Sequence, residues 1–286
     1  MWLRSLLLIA LLLSPLAHGQ DVPVSAPRSE ELRDFMSARG YGMGGAWRAL
    51  GLGAEAGTGN PAALALIRSY RVELTGAWDW AQKDAFGMLA VSDATNPLAA
   101  GVSYQLGSLD AGVQRTTVHL NTLALALPLF EGLLVGVSSR YLLMRGARSA
   151  DAITGDVGVV VRPSEFFALG ASAHNLLRTP HPELAPYYSA HLGVLTGMFV
   201  LGADVRADFE TNEQLTLTYS GGVEVLLGQT FPLRAGYTYD GFTRSSQLGF
   251  GLGFLSQGGG LDLSYRHDLG GEQGRLVALT VKVQVM

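Results

Sequence analysis

From Tyr70 to the last residue the chain repeats one pattern: short runs in which apolar and polar residues alternate, separated by turn residues. A period of two places successive side chains on opposite faces of a strand. The segment near 274–286 puts Val277, Leu279, Val281, Val283 and Val285 on one face, with Ala278, Thr280, Lys282 and Gln284 on the other. Near 199–209, Phe199, Leu201, Ala203, Val205, Ala207 and Phe209 oppose Asp204, Arg206 and Asp208. The segments near 215–227 and 230–240 split the same way, Thr216, Thr218, Ser220 and Glu224 opposing Leu217, Tyr219, Val223 and Val225 in the first. Counting such runs predicts strands near 69–81, 84–93, 97–108, 113–128, 132–145, 151–162, 166–176, 187–197, 199–209, 215–227, 230–240, 243–255, 259–268 and 274–286. That is about fourteen, an even number, most of them close to the roughly ten residues a tilted membrane strand needs.

The stretch from 31 to 68 has no strand period. Gly40, Gly42, Gly44, Gly45, Gly51, Gly53, Gly57 and Gly59 crowd among alanines, and Asn60-Pro61-Ala62-Ala63-Leu64 closes the run. Asn-Pro marks a turn, and Pro61 suits the first position of a short helix. Small residues allow close backbone approach, so this reads as a compact segment packed against something else. It is not a phosphate loop, because Gly40-Tyr41-Gly42-Met43-Gly44-Gly45 follows no strand and precedes no Lys-Ser/Thr pair.

Composition separates a membrane barrel from a soluble sandwich. Charged residues are 15% of the 286, against about 25% in soluble domains. Beyond the N-terminus no apolar run reaches the length of a spanning helix, and lipid admits only helices and closed barrels. The polar face carries Thr, Ser, Gly and isolated charges of both signs, which suits a lumen better than the Lys- and Glu-rich exterior of a soluble sheet. Aromatics such as Trp78, Trp80, Tyr188, Phe199, Phe209, Phe254 and Tyr265 fall toward strand ends, where barrels carry interfacial girdles. Met1–Arg4, the apolar run Leu6–Leu13 and Ala17-His18-Gly19 form an export signal of residues 1–19, with cleavage expected after Gly19. The expected organisation is therefore an all-β transmembrane antiparallel barrel of about 14 strands over 69–286, preceded by a lead-in and hatch over 20–68. A net charge of −4 argues against nucleic acid as a partner.

Two stretches carry a family resemblance. Ala38-Arg39-Gly40-Tyr41-Gly42-Met43-Gly44-Gly45-Ala46, then Gly59-Asn60-Pro61-Ala62-Ala63-Leu64, resembles the N-terminal region of the FadL-like outer-membrane proteins. Asp156-Val157-Gly158, Ala173-His174-Asn175-Leu176, Gly222-Val223-Glu224, Arg234-Ala235-Gly236-Tyr237 and Gly249-Phe250-Gly251-Leu252-Gly253 are similar to the PorV/PorQ-type branch. The resemblance implies a hatch inside a fourteen-stranded barrel, with Gly40, Gly42, Met43, Gly44, Gly45, Asn60 and Pro61 in the hatch. It implies an outer-membrane location in a Gram-negative bacterium. Implied partners are outer-membrane lipids, the barrel assembly machinery, and either a small hydrophobic ligand or secretion-system components. The chain is short for a long-chain fatty acid transporter, and it ends in Met286 where such barrels commonly end in an aromatic.

Parity points Arg71, Glu73, Asp79, Arg140, Asp156, Arg162, Asp204, Arg206, Asp208, Glu224, Arg234, Asp240, Asp262, Arg266 and Lys282 inward. Buried charges must be paired, so a near-balanced set predicts a polar network bracing a plugged barrel, in particular Arg140, Asp156, Asp204, Arg206, Glu224, Arg234, Asp262 and Arg266. No enzyme is expected. No serine sits in a nucleophile-elbow context, His119, His174, His181, His191 and His267 are scattered, and the chain lacks cysteine. Neither a metal nor a cofactor is expected. Three readings stay open: hatch-gated passage of a small hydrophobic or amphipathic molecule, a PorV-like partner of a secretion system, and a structural barrel.

Overall fold

The computed structural model describes residues 35–110, 114–147, 149–177, 184–210, 214–241, 244–270 and 274–285. The export signal, the lead-in up to 34, His181 and Met286 lie outside them. Fourteen strands form one closed antiparallel barrel. They are β1 Tyr70–Asp79, β2 Asp84–Asp93, β3 Ala99–Asp110, β4 Arg115–Phe130, β5 Leu133–Arg145, β6 Ala150–Ser164 and β7 Phe167–His174. The second half comprises β8 Tyr187–Leu195, β9 Phe199–Asp208, β10 Thr216–Leu227, β11 Phe231–Asp240, β12 Ser245–Ser256, β13 Gly259–Asp268 and β14 Arg275–Val285. Each strand pairs with its sequence neighbours, and β1 closes the ring on β14 from Tyr70↔Val285 to Asp79↔Leu276. Closure leaves no sheet edge, which lipid requires. Every predicted strand is present, with ends within three residues of those the alternation marks. Register shifts fall beside Pro128 in β4 and around Pro163 in β6, since proline cannot donate to the ladder.

The alternation sets inside from outside. On β14, Val277, Leu279, Val281, Val283 and Val285 are exposed while Ala278 and Thr280 are buried. The outward face is apolar around the ring and bears aromatics at both ends. Trp80 stacks on Tyr265 at 5.9 Å near one rim, and Phe231 meets Phe254 at 5.7 Å near the other, which carries the barrel's first and last strand residues. We call the latter the terminal rim. Its connections are short, as in Glu131-Gly132 and Gln257-Gly258, whereas the opposite rim carries the longer ones.

The stretch Phe35–Leu66 lies inside the ring as short turns: a helix at Ala38–Gly42, 3-10 turns at Arg48–Leu50, Gly53–Glu55 and Pro61–Ala65, and a helical turn at Ala56–Gly59. Ser37 caps the first helix by accepting from the Gly40 N–H at 3.2 Å. Asn60 caps the last turn through Ala62 N–H at 3.2 Å, with Pro61 at its first position, as the Asn-Pro pair predicts. Among the described residues no helix is long and apolar enough to cross a membrane.

Candidate functional site

The site is the joint between this luminal segment and the barrel wall. Wall glycines make it possible. Gly193, Gly202, Gly222, Gly236 and Gly249 face inward on five successive strands and are direct register partners of one another. A Cβ on Gly202 would run into the Ala46 carbonyl oxygen, one on Gly222 into that of Met43, and one on Gly249 into that of Tyr41. Leu50 fills the space beside Gly193, while Asn60 sits against Gly158 and Ala62 against Gly136. The segment therefore lies in a groove of missing side chains. Small backbone-to-backbone separations of this kind admit carbonyl contacts from Cα–H groups.

Of the residues expected from sequence to form a hatch, Gly42, Met43, Gly44, Gly45, Asn60 and Pro61 lie against the wall, and Gly40 lies within the luminal segment. Gly44 and Gly45 adopt left-handed backbone at φ 59° and 78°, turning the chain away from the first helix where a Cβ would be strained. The Gly44 carbonyl accepts from Thr238 Oγ1, and that of Gly45 accepts from Arg48 Nη1 at 2.9 Å. Met43 is fully buried against Gly222 and Gly236. Gly42 packs on Gly251, and Gly40 lies against Glu55 and Met36. Asn60 is fully buried and donates to the Val159 carbonyl at 3.2 Å.

The inward charges fall into groups. In the first, Glu224 receives both Arg39, at 3.2 Å, and Arg234, while Arg234 also reaches Asp262 at 2.7 Å and Lys282 donates to Asp262 at 2.6 Å. Arg39 belongs to the luminal segment, so this chain ties the segment to β10, β11, β13 and β14. In the second, Arg140 donates to Asp156 and to Asn175, each at 2.7 Å. In the third, Arg48 meets Asp204 at 3.2 Å. Arg206 donates to Thr218 at 3.3 Å and lies 5.6 Å above the Tyr187 ring. Arg266 lies 3.8 Å from Asp268 and 5.3 Å above the Tyr41 ring. Arg162 is only half-buried, at the terminal rim.

Several contributors were not visible in the pattern. Arg39, Arg48 and Glu55 come from the luminal segment, whose missing period gives no inside or outside. Glu55 is buried, accepts from the Ser37 hydroxyl at 2.7 Å, and burial pushes its carboxyl above the ordinary range despite Ser37 and Arg39. His174 and His191, scattered in sequence, meet through Ser172, whose Oγ lies 2.8 Å from one Nε2 and 2.9 Å from the other. Inward parity on β7 and β8 was the available signal. As a nucleophile Ser172 is sealed, because the Gly59 carbonyl covers it at 3.4 Å. Among the described residues no group of three or more His, Cys, Asp or Glu could hold a metal.

The interior also departs from the uniformly polar lumen expected. Toward the opposite rim, β2–β6 turn Phe86, Met88, Val118, Leu120, Leu142 and Met144 inward, all buried with Phe35, Met36 and Tyr41 of the luminal segment. At that level the outward face of β4 carries Arg115, Thr117, His119 and Asn121, while Leu106, Tyr141, Leu143 and Ile153 on the flanking strands also face outward. The outward face there is mixed, and the interior apolar.

No family model matches this sequence, and no curated protein matches it. Solved structures do. The toluene transporter TbuX of Ralstonia pickettii superposes with a TM-score of 0.69 at 12% identity, covering 88% of this chain and 98% of its own. The toluene transporter TodX of Pseudomonas putida gives 0.67 at 12%, with the same coverages, and the monoaromatic hydrocarbon channel CymD gives 0.66 at 12% over 89% and 98%. At these identities the likeness is one of fold.

Proposed function

We propose that this chain is an outer-membrane barrel through which a small hydrophobic or amphipathic molecule passes when the luminal segment, acting as a hatch, shifts. The observation that carries the reading is the inward apolar cluster of β2–β6. Phe86, Met88, Leu120, Leu142 and Met144 bring an apolar lining into the lumen, and a route for an apolar solute needs such a lining. The fold shared with hydrocarbon channels supports it. On this reading the terminal rim, with its short connections, faces the periplasm and the apolar mouth faces outward, and the export signal is removed after Gly19. The hatch comprises Gly40, Gly42, Met43, Gly44, Gly45, Asn60 and Pro61 with their neighbours. Arg140, Asp156, Asp204, Arg206, Glu224, Arg234, Asp262 and Arg266 form the polar network that keeps it seated and excludes ions and water.

Uptake of a radiolabelled monoaromatic such as toluene, in cells with and without the gene, tests the reading. Uptake should fall on deletion, return with the wild-type gene, and fail to return with Leu142→Asp at equal surface abundance. Unchanged uptake in all three, with the barrel co-purifying with a secretion complex, would instead support the docking-partner reading.

A further inference from the structure

A cavity lies on the opposite-rim side of the luminal segment, between that segment and the wall of β8–β13. It measures about 600 Å³ to its open mouth, within the range of small-ligand sites. Its floor is backbone, Gly44 and Gly45 of the luminal segment beside Gly249 of the glycine belt. Met36 and Tyr41 form one side, and the same two residues belong to the apolar cluster that extends across β2–β6. The other sides are polar and include Ser189, Asp204, Arg206, Asp240 and Arg266 of the wall, with Arg48 of the luminal segment.

The charges of the lining leave no surplus. Arg48 meets Asp204 at 3.2 Å, and Arg266 lies 3.8 Å from Asp268. Arg206 reaches Asp240 through the Thr218 hydroxyl, which accepts from the guanidinium at 3.3 Å and donates to the carboxylate at 2.9 Å. Asp208 is turned to the rim, where it accepts from the Glu210 N–H at 2.9 Å. Each arginine therefore has its own carboxylate, and a ligand that carried a net charge would bring it in unbalanced.

The uncommitted groups of the lining are of another kind. Ser189 Oγ and Arg48 Nε have no hydrogen-bond partner among the described residues, and each residue is only 7% exposed. Thr238 spends its hydrogen on the Gly44 carbonyl and keeps its lone pairs, and the Gln247 amide stands half-buried. Together they offer both donors and acceptors. A hydroxyl answers such a set because it gives and takes, whereas a carboxylate only accepts and an ammonium only donates.

We propose that this cavity receives the neutral, hydroxyl-rich head of an amphipathic molecule, whose apolar part lies over Met36 and Tyr41 toward the apolar cluster. The proposal rests on the reading of the barrel as a route and narrows its cargo to molecules built like an alkyl glycoside. The cavity lies on the outward side of the seated segment, so the head is met before the hatch moves. Its occupant touches Gly44, Gly45 and Arg48 on one side and the wall on the other, the two surfaces that part when the hatch shifts.

Equilibrium dialysis of the full-length protein in phospholipid nanodiscs, with empty nanodiscs subtracted, reads the choice of head. The radiolabelled probes are hexyl glucoside, hexanoate and hexylammonium, which share one tail, and toluene, which has no head. Hexyl glucoside should bind about tenfold more tightly than either charged probe, roughly the factor of one to two net hydrogen bonds. Ser189→Ala should weaken it about fivefold, the factor of one such bond, and leave toluene unchanged. Ser220→Met, which fills the cavity, should abolish glucoside binding alone, both variants being checked for a folded barrel by heat-modifiable gel mobility. Equal binding of the three heads, a preference for either charged one, or glucoside binding that survives both substitutions would overturn the proposal. So would no binding of any head, the result expected of a cavity that holds water alone.

The route fails separately. If toluene uptake is independent of the gene while the glucoside still binds as described, the route falls and the head site stands. If toluene uptake depends on the gene and the glucoside does not bind, the head site falls alone.

Discussion

The two halves of the lumen are built from strands with the same period and opposite interior chemistry. Across β9–β14 the inward positions include Asp204, Arg206, Glu224, Arg234, Asp262, Arg266 and Lys282, and Asp204 and Glu224 close on Arg48 and Arg39 of the luminal segment through ion pairs. Across β2–β6, toward the opposite rim, they are Phe86, Met88, Val118, Leu120, Leu142 and Met144, which close on Phe35 and Met36 by contact alone. The difference teaches that a barrel's interior is not polar by default. It is complementary to whatever fills it, and the filling here is charged along one side and apolar along the other.

Breaking the charged side should cost most. Arg234→Ala leaves Glu224 and Asp262 without their shared cation, and removing one partner of a buried pair typically costs about 3–5 kcal/mol. The denaturant midpoint of the refolded barrel, read by heat-modifiable gel mobility, should drop accordingly. Replacing Arg234, Asp262 and Lys282 together by apolar residues of similar volume should recover part of the loss, because Glu224 keeps Arg39 and no charge is then stranded.

The apolar side should respond through volume rather than charge. Leu142 is fully buried, so Leu142→Ala should cost about 2–5 kcal/mol by the same measurement. Its effect should be nearly independent of salt.

The glycine belt of β8–β12 should fall next. Gly202→Val drives a side chain into the Ala46 carbonyl, an overpacking worth about 1–3 kcal/mol. Gly76→Val, on the outward face with nothing within 4 Å of its Cβ position, should stay within about 0.5 kcal/mol of wild type.

The smallest effect should be on pH. The Glu55 carboxyl is raised by burial, so the folded state binds that proton more readily than the unfolded chain. Its contribution is then fully present below the unfolded value and is lost as pH rises through the raised one. Glu55→Gln keeps an acceptor for Ser37 and carries no charge. Its thermal midpoint should therefore fall less between acid and neutral pH than that of the wild type.

The alternation on β14 and β9 told inside from outside, and Asn60-Pro61 marked a turn that the structure caps through Asn60 as its residue types require. Local rules suffice for these, because strand parity and helix capping involve neighbours in the chain. The belt of Gly193, Gly202, Gly222, Gly236 and Gly249 was not legible. Those glycines lie on inward parity, yet only register places them at one level, and register depends on all the intervening turns. The same holds for His174 and His191, which sit on adjacent strands and looked scattered because a linear reading does not count across a ladder. The apolar interior along β2, β4 and β5 was hidden for another reason: a stretch with apolar residues inside alternates like its opposite.

By itself, then, the sequence determined the strand count, the barrel class and the contrast between an alternating wall and a glycine-rich leader. All three follow from residue type and spacing within one segment. The tertiary structure alone decided which carboxylate meets which arginine, where the luminal segment finds room for its backbone, and which side of the lumen is apolar. Those depend on the closure of β1 on β14 and the stagger of fourteen strands, which bring together residues that no local interaction relates.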